Sequence, residues 1–446
     1  MNQTLTERAH IPKSATNIWI SIVGLLCFIA SMEYVRIYQV SNFNGAVLGM
    51  LSIAFPIVIL EYIFLKTHKR EAVGLASTWH SVNAVRVLVK LIGLYGTFGL
   101  VSLVYWSFPE YHGSFYTPFW NLLRQFLPWV LGLSVPYFVL LDAKLQKPKE
   151  AYYHAGLLFL GQWRKVDYPL VKNHFRGWVV KLFFLPLMFI YLQGNMSTIK
   201  RNSFSSIIDN FSFGAFYDYM YNYLFTIDLV YVCVGYALTL KILDNHIRSA
   251  EPTFFGWGIA LFCYQPFWSL IGGQYLKYDN NYFWGNLLNG EPFWYVVWGS
   301  SILILIGIYV WATVPFGIRF SNLTHRGIIT NGPYRFMRHP AYVSKNISWW
   351  LISVPFIHQS SPTEAIRLSL LLLGVNTIYF FRARTEEKHL SQDPIYIQYA
   401  MAINAKGVFS GLFKFFPFLK YNPARYGIDV DRDNPLKSSS QKNKGL

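Results

Sequence analysis

A helix needs roughly 20 predominantly apolar residues to cross the hydrocarbon core of a bilayer. This sequence offers about ten such windows, at 17–38, 45–65, 87–108, 119–141, 177–194, 222–243, 254–272, 293–316, 341–357 and 365–381. Composition agrees with them: 53% of the 446 residues are hydrophobic, 19% aromatic and only 14% charged, and the mean hydropathy is +0.28. These values exclude an ordinary soluble globular chain and predict an all-α, polytopic integral membrane protein. The last two windows are short and separated only by HQSSPTE, which predicts a tight C-terminal helical hairpin. The first window has no small-residue cleavage pattern after a short apolar core, so no removable signal peptide is expected.

The 39 Lys and Arg against 22 Asp and Glu give a net charge of +17. On so apolar a chain, a basic excess points to cytoplasmic loops facing anionic lipid. No cationic stripe or RNP-like strand is present, so nucleic acid is not expected as a partner. The cations gather before the first window, after the second, through 144–176, and after the sixth and eighth, all on one side of the membrane. Both termini are therefore expected in the cytoplasm; Lys200 and Arg201 are the exception to the pattern. Cys27, Cys233 and Cys263 are widely spaced and form no CxxC pair, so neither a metal site nor a disulfide framework is expected. Three regions follow: an N-terminal transmembrane bundle over 1–250, a C-terminal membrane domain over 251–426, and a polar tail over 427–446 that reads as disordered. The segment AYYHAGLLFLGQW, in the long basic loop, is too short to span and reads as an interfacial helix.

Polar chemistry concentrates in HRGIITNGPYRFMRHPAYVSKN, residues 325–346, and again in RARTEEKHLSQDPIYIQY, residues 382–399. Gly327, Gly332 and Pro333 favour turns there. A basic loop drawn to lipid phosphate accounts for the arginines alone, and a salt-bridged helix end with Arg382 and Glu386 at i,i+4 accounts for the second cluster alone. Neither account requires the order of the two. If the hairpin folds back, the 386 − 339 = 47 residues between His339 and Glu386 become a short distance, and carboxylates meet a His–Arg cluster.

The order Gly332-Pro333-Tyr334-Arg335, then Arg338-His339-Pro340 with Tyr342, an apolar hairpin, and Arg384, Glu386, Glu387 and Leu390 resembles one catalytic region in particular. It is that of the isoprenylcysteine carboxyl methyltransferase and phospholipid methyltransferase superfamily, over roughly residues 320–400. The resemblance implies an S-adenosylmethionine-dependent enzyme that methylates a lipid or lipidated, isoprenoid-type acceptor from a cytoplasm-facing cofactor pocket. It implies His339, Pro340, Tyr342, Glu386 and Glu387 as cofactor-binding residues with Tyr334 and Arg338 beside the pocket; Arg382, placed to orient an anionic acceptor, joins Tyr334 and Arg338 as an expected catalytic residue. The physics is compatible: carboxylates can hold an ammonium or ribose hydroxyls, arginine can orient an anionic acceptor, and methyl transfer depends chiefly on alignment. No GxGxxG follows a strand, which argues against a Rossmann cofactor domain. The pattern departs from the family at Ser344, where a glycine is usual, and in the length of chain that precedes it.

A second resemblance is to the ten-span sterol reductases, through FFGWGIALFCYQPFWSLIGGQYL at 254–276 and the RHPAY order downstream. It implies NADPH-dependent reduction of a sterol or isoprenoid double bond as the alternative. A transporter or lipid-binding protein is the third class. The host membrane is the inner membrane in a bacterial source and the endoplasmic reticulum in a eukaryotic one.

Three acids lie in or near windows, where an unpaired charge costs a few kcal/mol. Arg36 is the expected partner of Glu33, and Lys66 of Glu61. Asp228 has no cation nearby in sequence and either lines a substrate cavity or pairs with a helix such as the one that bears Lys181. The aromatic residues suit interfacial belts, and also suit the wall of a lipid-shaped tunnel.

Overall fold

The structure, a computed structural model, describes residues 10–201, 204–209, 211–357 and 361–428. Most of the tail at 427–446 and part of HQSSPTE lie outside the described residues. The principal helices are α1 (Ile18–Ile37), α2 (Asn42–Leu60), α3 (Ala84–Ser107), α4 (Thr117–Lys144), α5 (Ala151–Phe159), α6 (Tyr168–Arg201) and α7 (Phe213–Ala237). After them come α8 (Phe254–Leu261), α9 (Pro292–Thr313), α10 (Pro340–Ser353), α11 (Pro362–Leu390) and α12 (Pro394–Lys406). The strands β1 (Ser249–Ala250) and β2 (Thr324–His325) pair antiparallel, Ser249 opposite His325.

Seven of the described helical segments are long and apolar enough to cross a membrane: those built on α1, α2, α3, α4, α6, α9 and α11. Their apolar windows are only 22–50% buried within the protein, so much of that surface faces outward, as lipid contact requires. The chain is a multi-pass membrane protein. Two of the ten expected spans take another form, and a third lies in a helix with polar groups. The window at 222–243 belongs to α7, which is 25 residues long but carries Asn222, Thr226 and Asp228. The window at 254–272 breaks after eight residues, because Pro266 cannot continue an α-helix and Gly272 and Gly273 disfavour one; a wide π-type turn follows at Ile271–Tyr275. The window at 341–357 yields only the 14 residues of α10, about 21 Å at 1.5 Å per residue and short of the roughly 30 Å core. The C-terminal hairpin is thus asymmetric, with one short arm and one of 29 residues in α11.

The contacts divide the chain into two compact units, neither continuous in sequence. The larger comprises Asn17–Pro252 and Trp284–Gly327. Its helices close on small residues: a Cβ added to Gly93 of α3 would lie 2.0 Å from the Tyr152 carbonyl oxygen, and one on Gly156 of α5 would lie 1.9 Å from that of Val89. The short segment expected at the interface is therefore a helix packed backbone to backbone on α3. Between α1 and α2, the Ser31 and Ser52 hydroxyls lie 3.0 Å apart. Glu33 pairs with Arg36, as its spacing predicts. Glu61 pairs across 258 residues with Arg319, 2.7 Å to each carboxylate oxygen, and not with neighbouring Lys66. Asp228 accepts from Tyr309 at 2.7 Å and Thr313 at 2.5 Å on α9, while Lys181 donates to Thr239.

The smaller unit comprises Met1–Thr16, Thr253–Phe283 and Ile328–Leu446, over its described residues. A strap from the N-terminal segment lies along 328–331: Ala15 N–H donates to the Ile328 carbonyl at 2.9 Å, Thr330 Oγ1 to the Pro12 carbonyl at 2.7 Å, and Asn331 Nδ2 to the Thr16 carbonyl at 2.9 Å. One core gathers Ile328, Tyr396, Tyr399, Ile403 and Tyr421. The other sets Leu372, Val375 and Tyr379 of α11 against Trp268, Leu276, Tyr342 and Trp349. Ser361 caps α11 by accepting from Glu364 N–H, and Asp393 caps α12 by accepting from Ile395 N–H, each followed by proline at the first helical position.

Candidate functional site

The polar residues between 332 and 342 are set by a turn and a helix start. Gly332 adopts a left-handed φ of 57°, a conformation open to glycine at little steric cost, and begins the tight turn Gly332–Arg335. The Tyr399 hydroxyl pins that turn by donating to the Tyr334 carbonyl at 2.8 Å, so Tyr334 enters the site through its backbone while its ring packs on the Tyr396–Tyr399 core. His339 precedes α10 and buried Pro340 opens it, which suits proline's fixed φ and missing N–H. Tyr342 then stands one helical step inside. Ser344 is buried and turns its hydroxyl back to the Pro340 carbonyl at 2.8 Å, so its polarity is satisfied within its own helix.

The second cluster arrives on the last turns of α11. Successive residues there point about 100° apart, so Glu386 and Glu387 serve different neighbours. Glu387, 1% exposed, is the hub. Its Oε1 lies 2.9 Å from Arg338 Nε and 3.1 Å from His339 Nε2; its Oε2 lies 2.7 Å from Arg384 Nη1 and accepts from the Tyr426 hydroxyl at 2.8 Å. Arg338 is fastened further by donating to Asn404 Oδ1 at 2.5 Å and to the Leu419 carbonyl at 2.7 Å. Asn404 in turn donates to the Tyr421 carbonyl at 2.8 Å, and the Tyr421 hydroxyl lies 2.7 Å from Ser391 Oγ. Burial and the Glu387 charge push the Tyr426 phenol up to about 12, which keeps its proton on the bond to the carboxylate.

Glu386 faces Tyr342, whose hydroxyl donates to Oε2 at 2.8 Å; Oε1 receives no hydrogen bond from the described residues. Arg382, one turn back on the same face, is 8% exposed. Its guanidinium donates to the Tyr264 hydroxyl at 3.1 Å and lies 5.2, 5.3 and 5.9 Å from the ring centres of Tyr264, Tyr342 and Tyr379. Cation–π contacts of this kind help to hold a buried guanidinium. The His339 and Tyr342 rings stack at 5.7 Å. A chain of side-chain amides ties the two arms of the hairpin: Trp350 Nε1 donates to Asn376 Oδ1 at 2.8 Å, Asn376 Nδ2 to Asn346 Oδ1 at 2.5 Å, and Asn346 Nδ2 to the Tyr342 carbonyl at 2.7 Å.

The fold therefore brings Arg338, His339 and Glu387 into one ion cluster, and Tyr342, Arg382 and Glu386 into a second group adjoining it through the His339–Tyr342 stack. Pro340 lies between as the helix start. Tyr264, Tyr379, Asn404, Tyr421 and Tyr426 complete these groups, and no spacing in the sequence marks them; Tyr426 reaches Glu387 across 39 residues. Among the described residues no group of three His, Cys, Asp or Glu has a metal-binding arrangement.

Residues 300–392 match the family model of the Isoprenylcysteine carboxyl methyltransferase (ICMT) family. Comparison with curated proteins gives no match, and comparison with solved structures gives none. The match bears out the methyltransferase resemblance of this region; the reductase resemblance has no such support.

Proposed function

We propose that this chain, whose residues 300–392 match the family model, is an integral membrane methyltransferase that acts on a lipidated acceptor, and that its methyl donor is S-adenosylmethionine, held beside Glu386, Tyr342 and His339. The observation that carries the proposal is the half-satisfied carboxylate of Glu386: Oε2 is fixed by the Tyr342 hydroxyl, while Oε1 takes no donor from the described residues. An oriented carboxylate with one open oxygen suits an ammonium group or ribose hydroxyls, so the residues present fit this cofactor. When bound, it supplies a methyl carbon activated by a sulfonium, which loses its positive charge on transfer.

The chain's own residues then bind and orient. Glu386 accepts from the cofactor, and Tyr342 fixes the carboxylate's rotamer. His339, stacked on Tyr342, walls the same side. Arg382, set among three tyrosine rings beside Tyr342 and one turn from Glu386, is the cation that suits the anionic end of an acceptor. Glu387 and Arg338 are positioning residues: three donors and the Arg338 charge converge on the Glu387 carboxylate, and through them it orders His339 and the chain near Tyr426. Tyr334 acts by its backbone, which fixes the turn that delivers His339, and Pro340 sets the start of α10. The acceptor is a lipidated or isoprenoid-type molecule that enters from the bilayer, and the cofactor arrives from the cytoplasm, the side favoured for both termini by the distribution of Lys and Arg.

Titration of the detergent-purified chain with S-adenosylhomocysteine and, separately, with NADPH tests this reading. Saturable binding of S-adenosylhomocysteine, weakened about ten- to one-hundred-fold in Glu386→Gln, is expected from loss of one charge-assisted hydrogen bond of roughly 1.5–3 kcal/mol. Binding of NADPH alone, or an unaltered affinity in Glu386→Gln, defeats it.

A further inference from the structure

The larger unit holds two cations, Arg326 and Lys181, that form no ion pair among the described residues. Arg326 follows β2, is 3% exposed, and donates from Nη1 to the Gly235 carbonyl at 2.5 Å, near the C-terminal end of α7. Its Nε and Nη2 are buried and have no acceptor among the described residues. These two atoms form one edge of the guanidinium, the fork that meets two oxygens of an oxyanion side by side. Lys181 of α6 is close enough to repel Arg326; its Nζ lies 3.4 Å from Thr239 Oγ1 and 3.5 Å from the centre of the Trp178 ring, both neutral partners. Two acids of this region are committed to other arginines. Glu61 pairs with Arg319, and Asp244 lies 2.9 Å from Arg70 and 3.0 Å from Arg248. Beside them, His246 Nδ1 and Arg248 Nε are also buried without a partner among the described residues.

A buried cation without a counter-ion is costly, by several kcal/mol even after relaxation. The negative end of the α7 dipole accounts for Nη1 of Arg326 but leaves the Nε/Nη2 edge unanswered. Burial and the Arg319 charge draw the Arg326 pKa down only to about 10, so the side chain stays charged at neutral pH. Burial holds the His246 imidazole neutral, with its pKa near 4, so His246 offers a hydrogen bond and no third charge. Arg326 supplies a fixed positive charge and two side-by-side donors, and a phosphate-type oxyanion has oxygens enough to meet that edge and Lys181 together, which the two oxygens of a monocarboxylate do not.

We propose that the larger unit contains an anion site in which the Nε/Nη2 edge of Arg326, together with Lys181, binds a phosphate-type oxyanion. The same chemistry comes from a lipid phosphomonoester headgroup or from free phosphate, and the test separates them. The full chain is first titrated in uncharged detergent with inorganic phosphate, and with acetate and chloride at matched ionic strength, following thermal unfolding. It is then reconstituted into phosphatidylcholine nanodiscs with and without phosphatidic acid, and retained lipid is counted by native mass spectrometry.

Wild-type protein is expected to be stabilised saturably by phosphate or to retain phosphatidic acid selectively. The first result assigns free phosphate, and the second the lipid headgroup. Arg326→Gln is expected to weaken the effect at least about ten-fold. If that variant does not fold, Lys181→Gln takes its place, with a loss of at least about three-fold expected. No saturable effect of either probe on the wild type overturns the proposal. An equal effect of acetate, or unchanged affinity in the folded variants, overturns it as well.

Discussion

Two adjacent glutamates carry different burdens. Glu387 receives Arg338, His339, Arg384 and Tyr426 and is 1% exposed, whereas Glu386 is half-buried and receives only Tyr342 among the described residues. Removing one partner of a buried ion cluster leaves the others uncompensated, at roughly 3–5 kcal/mol. Glu387→Ala should therefore lower the thermal midpoint of the purified protein markedly, and any loss of cofactor binding should follow from that loss of structure. Glu386→Gln should keep the wild-type midpoint while it loses affinity. Equal midpoints for wild type and Glu387→Ala would falsify the hub assignment. Their neighbourhood in the sequence made the two look alike; the 100° step of the helix sends them to different partners.

At the scale of elements, backbone contact decides which glycines matter. Gly156 of α5 meets the Val89 carbonyl, where an added Cβ would lie at 1.9 Å, a distance that forces one helix away from the other. Gly307 of α9 has nothing within 4 Å of its added Cβ. Gly156→Ala should destabilise the protein by about 1–3 kcal/mol or more through overpacking. Gly307→Ala should be neutral or stabilising by up to about 1 kcal/mol, since alanine is the better helix former. Thermal unfolding in one detergent compares them directly, and the opposite order would contradict the α3–α5 contact. The hairpin shows the same limit on reading elements from hydropathy. Its apolar windows looked equal in the sequence, yet one gave 14 helical residues and the other 29. The short arm is tied down by the Trp350–Asn376–Asn346 chain and by aromatic packing on α11. A helix of that length is marginal alone, and the contacts that hold it are not a local property of its residues.

At the scale of the molecule, charge pairs far apart in sequence lock the larger unit. Glu61 and Arg319 are 258 residues apart and almost wholly buried, and Arg319 also donates to the Leu243 carbonyl. Glu61→Gln should cost roughly 3–5 kcal/mol, since it strands the arginine charge. Replacing both, by Glu61→Leu with Arg319→Met, should recover most of that loss, because Asp244 keeps Arg70 and Arg248. A double-mutant cycle read by thermal unfolding checks this; a double variant no more stable than Glu61→Gln would show that the pair is not the coupled unit.

The sequence by itself determined that this chain is helical, that it lives in a membrane, and where its methyltransferase-like residues lie. Each of these rests on local quantities: the length of an apolar run, the surplus of Lys and Arg, and an ordered motif with its turn glycines. Only the tertiary structure decided that two apolar windows form no long helix, that Glu61 chooses Arg319 over Lys66, and that Tyr264, Asn404 and Tyr426 join the candidate site. Hydropathy sums over neighbours in the chain, so it is legible residue by residue. A hydrogen bond or an ion pair depends on neighbours in space, and the packing of distant helices supplies them.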